Sequence, residues 1–108
     1  MQKILVYWRD IPSQVIIKKG RERGKAMLED RFQEAIDRAA MRAGKGGSDA
    51  YLSEWRRDTS RMEPVEGTLL EAAEAEVSRL QEEYPQERVK ELVKNFGYTE
   101  MPEDKQRS

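Results

Sequence analysis

Two short β-branched and aromatic runs, Ile4-Leu5-Val6-Tyr7-Trp8 and Val15-Ile16-Ile17, flank the turn-forming stretch Asp10-Ile11-Pro12-Ser13. Proline pre-sets φ in such a turn, and the runs on either side favour extended backbone. The N-terminal segment is therefore read as an antiparallel hairpin, closed at its far end by Gly20. Unbroken apolar runs also suit strands covered on both faces, so the pattern leaves open which face is wet.

From about Lys25 to Ala43 the period changes. Leu28, Phe32, Ile36 and Ala40, backed by Ala35, Ala39 and Ala43, recur at helical spacing, with Glu29, Asp30, Gln33, Asp37 and Arg38 opposite. That is an amphipathic helix, and Gly44 is placed to cap it in the left-handed conformation. Between Ser53 and Met62 a third strand is expected at about 53–58. A continued helix is the alternative, because Tyr51, Leu52 and Trp55 also fit one helical face. Pro64 breaks the chain. Leu70, Ala73, Val77, Leu80 and Tyr84 then form an apolar seam over about 66–84, stopped by Pro85. Two heptads with acidic flanks at Glu71, Glu74, Glu76, Glu82 and Glu83 favour core packing over a coiled-coil pair. Val89, Leu92, Val93 and Phe96 mark a last helix ended by Gly97.

The expected fold is a small two-layer α+β domain over residues 1–97, in the order β-β-α-β-α-α. A hairpin and a third strand would pack against about three helices. The polar stretch 98–108 is expected to be a disordered tail.

The core must be thin, since 37% of the chain is apolar and 38% charged. The sequence contains neither histidine nor cysteine. That excludes zinc sites of the usual kind, His-dependent nucleophile systems, Fe–S ligation and disulfides. No metal or cofactor is expected, and the chain is read as non-enzymatic. Its apolar runs are too short to span a membrane and no secretory segment opens it, so a cytoplasmic location is expected. Charge is split along the chain: residues 1–57 carry a net +5 and residues 58–108 a net −6. Such a dipole offers a cationic surface on one half.

Four constellations carry the candidate binding residues. The stretch 18–25 places five basic residues, Lys18, Lys19, Arg21, Arg23 and Lys25, around two glycines. It reads either as a solvated strand-to-helix loop or as a contact for an anion or an acidic protein, without P-loop or dinucleotide spacing. Tyr7-Trp8-Arg9-Asp10 puts two aromatics on opposite faces of a strand, one for the core and the other either free to stack a ligand or packed beneath a helix or an Arg stem. Arg38 and Arg42 share a helical face, either pairing with Glu34 or clamping a carboxylate or phosphate. Tyr51, Trp55, Arg56 and Arg57 combine the residue types that concentrate binding energy at interfaces, unless Trp55 is a core plug.

Three stretches, Tyr7–Pro12, Ala35–Gly44 and Asp49–Arg57, together resemble the small bacterial virulence factor domain family, also found at the C-terminus of conserved virulence factor C proteins. The resemblance covers roughly residues 1–95. It implies no established active site. Stand-alone members look like companions of proteins for folate- and corrinoid-dependent methyl transfer, including methionine synthase and its reactivation. By that resemblance the chain would be an accessory protein docking a corrinoid or methyltransferase protein. Lacking histidine, it cannot itself supply the usual lower axial ligand to cobalt. A nucleic-acid-binding regulator is the competing expectation, and a small carboxylate–arginine enzyme the third.

Overall fold

The expected hairpin is the middle of a four-stranded sheet. The computed structural model describes residues 1–99, which run β1 (Gln2–Trp8), β2 (Ile11–Lys19), β3 (Glu22–Met27), α1 (Asp30–Arg42), α2 (Ser48–Leu52), β4 (Trp55–Arg61), α3 (Leu69–Glu83) and α4 (Gln86–Lys94). The strand order is β3-β2-β1-β4, and every neighbouring pair is antiparallel. The α+β class, the hairpin, the strand after residue 53 and the two C-terminal helices all match the sequence reading. Of the tail expected to be disordered, residues 100–108 lie outside the described residues.

Two elements depart from that order, the short helix α2 before β4 and, with more consequence, a strand before α1. The basic stretch after Gly20 is not a loop running into the long helix but strand β3, and α1 starts only at Asp30. The reason is a period of two: Gly24 and Ala26 turn inward while Arg23, Lys25 and Met27 stay exposed. Gly24 sits directly under the start of α3, where an added Cβ would overlap the backbone of Leu69 and Leu70. Only a residue without a side chain lets helix and strand approach so closely.

The helices cover one face of the sheet. Leu5, Val15 and Ile17 on that face meet Phe32, Ile36, Ala73, Val77 and Leu80 in the main core. Fully burying an aliphatic or aromatic side chain of this size stabilises by about 1.5–3 kcal/mol. Lys3, on the same face, reaches Glu76 of α3 at 3.3 Å. The seam of α3 is core, as expected, except that Leu70 points outward and Leu69 packs in its place. Thr68 and Glu71 form a capping box that fixes the start of this helix. Gly44 caps α1 with φ 71°, and the Lys45 N–H donates to the Ala40 carbonyl at 2.7 Å. Among the described residues, no helix is long and apolar enough to cross a membrane.

Candidate docking face

Cross-strand partners in an antiparallel sheet point to the same side. The register therefore defines the face that the helices leave open. Gln2, Lys18, Arg23 and Arg61 form one row across it; Ile4, Ile16, Lys25 and Thr59 the next; Val6, Gln14, Met27 and Arg57 the third. Five of these twelve side chains are cationic and none is acidic. Among the described residues, Lys18, Arg23, Lys25, Arg57 and Arg61 make no salt bridge.

Beneath the cations lies an aliphatic floor. Ile4, Val6 and Ile16 are each less than a tenth exposed, though no helix packs over them. Long cationic side chains can shield such a floor with their methylene stems while holding the charge in water. Trp55 packs against this floor and closes one end of the face, its ring edge-on to Tyr51 at 5.8 Å. A shallow depression there is lined by Val6, Gln14, Trp55, Arg56 and Arg57. The shielded Oε1 of Gln14 has no hydrogen-bond partner. A second depression, at the opposite end, is lined by Met1, Gln2, Lys18, Lys19, Gly20 and Arg61.

The Tyr7–Asp10 residues build something else. Trp8 is fully buried, stacked on Tyr51 at 5.9 Å, and donates from Nε1 to the Tyr51 carbonyl at 2.9 Å. Arg9 occupies the two-residue turn between β1 and β2 with φ 55°, an uncommon conformation for a residue with a side chain. It is 8% exposed, and its guanidinium lies between the rings of Trp8 (5.1 Å) and Tyr98 (4.4 Å). It donates to the Phe96 carbonyl at 2.8 Å and to the Glu54 carboxylate at 3.2 Å. Arg56 in turn donates to the Arg9 carbonyl and to Asp10 at 2.8 and 3.0 Å, and Asp10 accepts from the Thr99 N–H at 2.7 Å. Gly97 takes φ 94°, where a side chain is strained, and an added Cβ would also crowd Trp8 at 3.0 Å and Arg9 at 3.3 Å. This end is a latch that ties the hairpin turn to β4 and to the end of α4.

Of the fourteen candidate residues, the sheet's open face gathers Lys18, Arg23, Arg57 and Trp55. Lys19 and Arg21 are exposed at the β2–β3 turn beside it. Tyr7 lies on the helix side under the Arg56 guanidinium at 4.4 Å, and burial pushes its phenol up to about 12. Arg9, Asp10, Arg56 and Trp8 belong to the latch, with Tyr51 packed on it. Arg38 and Arg42 sit on α1, away from these two regions. Arg38 makes no salt bridge with Glu34, and both line a groove between α1 and α4 floored by Ala35, Val89 and Val93. Arg42 lies over Phe96 at 5.8 Å. Sequence reasoning counted Lys25 in the basic run 18–25 but left both it and Arg61 out of the cationic face. Their signal was alternation: Arg23-Gly24-Lys25-Ala26 and Arg57-Asp58-Thr59-Ser60-Arg61 both repeat at two.

The family model described as "Virulence factor" matches residues 6–93 of the chain. No curated protein and no solved structure matches it.

Proposed function

The chain belongs to the virulence factor family, and from that premise we propose that it is a non-enzymatic cytoplasmic accessory protein that docks an acidic protein partner through the open face of its sheet. The observation that carries this reading is the cluster of five cations, unpaired among the described residues, over a shielded aliphatic floor. Like charges gathered on one surface repel, whereas an acidic partner neutralises them and steers its own approach. Trp55 at the rim supplies an aromatic anchor of the type that concentrates binding energy. The methyl-transfer setting implied by the resemblance makes corrinoid and methyltransferase proteins the first partners to test.

A nucleic acid is the weaker fit. Sheets that read single strands stack bases on aromatic side chains. Here the central strand presents Ile4 and Val6 instead, and Trp55 is the sole aromatic among the described residues of that face. A tagged pull-down from native lysate, with and without nuclease, separates the two readings. Corrinoid or methyltransferase proteins retained after nuclease are the expected result. Material that vanishes with nuclease would put nucleic acid in their place.

A further inference from the structure

β4 is the outer strand of the sheet, and its far edge is unpaired. Its seven residues pair with β1 alone, in unbroken register. Among the described residues, no backbone hydrogen bond from elsewhere in the chain reaches Trp55–Arg61. Residues 56–61 are all exposed. Edge strands are commonly blunted by a bulge, a proline, a covering segment or charge, and this one has only the last, which turns away like-charged strands and admits acidic ones. Arg57 and Arg61 flank Thr59 on the open face, while Asp58 is the lone acid, on the other side; Arg56 is occupied by Asp10 and the Arg9 carbonyl.

We propose that the partner adds an extended acidic segment to the free edge of β4, as a fifth strand of the sheet. This rests on the docking reading above and specifies what docks. Main-chain hydrogen bonds would supply the attachment, and alternate side chains the selectivity. The register dictates the pattern. Acidic residues four apart face Arg57 and Arg61, a β-branched residue between them faces Thr59, and a basic residue opposes Asp58. A second copy of the chain is the poorer occupant. Arg56, Arg57 and Arg61 against Asp58 leave β4 at net +2, so two copies joined edge to edge would set +2 against +2.

The test uses the full chain, isotope-labelled, and two synthetic peptides. One is Thr-Glu-Thr-Val-Lys-Glu-Thr with blocked ends. The other replaces the central Thr-Val by Pro-Pro, which keeps the charges and removes the ability to pair as a strand. Expected is binding of the first at least about tenfold tighter than the second, with hydrogen exchange slowed at amides within 55–61 and unchanged along β3. Equal binding of both, with shifts spread over Lys18, Arg23 and Lys25 and no protection in β4, would overturn strand addition while leaving charge-driven docking intact. Failure of both peptides overturns strand addition as well. If long poly-glutamate then also fails to bind, the docking reading falls with it.

Discussion

The two ends of this sheet treat arginine in opposite ways. In the latch, Arg9 is buried, held by Glu54 and the Phe96 carbonyl, and clamped between two aromatic rings, while Arg56 is bonded to Asp10 and the Arg9 carbonyl. Across the open face, Arg23, Arg57 and Arg61 extend with Lys18 and Lys25 over aliphatic side chains, without an acidic neighbour in their rows. The same residue type thus serves the fold in one place and is free of it in the other. Sequence proximity hides this, since Arg56 and Arg57 are adjacent yet belong to different systems. In a strand, one step along the chain crosses from one face to the other.

That contrast can be broken most forcefully at the latch. Trp8→Ala removes the largest fully buried side chain, and is expected to cost about 3–5 kcal/mol in urea unfolding. A loss under about 1 kcal/mol would mean the latch does not hold the fold. Arg9→Ala is expected to cost about 1–3 kcal/mol, because it leaves the Phe96 carbonyl without its donor beside an apolar gap, while Glu54 keeps Lys45 at 3.7 Å. Part of that loss is offset if the strained φ relaxes, so Arg9→Gly should do no worse than Arg9→Ala.

On the helix side the charges are coupled to folding through pH. The Glu76 carboxyl is held below its ordinary value of 4.5, chiefly by its hydrogen bond from Arg79, with Lys3 adding to the effect. A carboxyl depressed on folding contributes stability that is present above its unfolded pKa and lost as pH falls through the folded one. Glu76→Gln should therefore lower stability at neutral pH, with the gap to the wild type closing as pH falls below 4.5 and through the depressed folded-state value. Tyr7 works at the other extreme. Its phenol rises from 10.0 to about 12 mainly through burial, so its contribution is complete below pH 10 and lost as pH climbs toward 12. Tyr7→Phe should decline less than the wild type through that window, the remaining fall coming from Tyr84, whose phenol burial also pushes up. A parallel decline of both proteins would show that Tyr7 is not the group responsible.

Much of the fold was legible because its signals are local: the hairpin in two β-branched runs, α1 in its four-residue spacing, the stops at Pro64, Pro85 and Gly97. Strand β3 was not, because its inward residues are Gly24 and Ala26. Small residues carry little hydropathy, and their meaning depends on α3, some forty-five residues later, lying across them. The same blind spot split the candidate site. With 22–27 read as loop and helix start, Lys25 had no place on a face, and Arg61 lay beyond the expected end of the last strand. The latch was visible as a motif, but its character was not. Nothing in Tyr7-Trp8-Arg9-Asp10 announces that its partners are Glu54, from the middle of the chain, and Phe96 and Thr99, from near its end.

The central claim is that the open-face cations serve binding and not the fold. The measurement that tests it most directly is the affinity of the variant Lys25→Glu/Arg57→Glu/Arg61→Glu for the captured partner, beside its urea midpoint. The account predicts binding weakened by about a hundredfold or more, with stability within about 1.5 kcal/mol of the wild type, about 0.5 for each substitution. Binding preserved within about twofold, in a variant that folds normally, would contradict it.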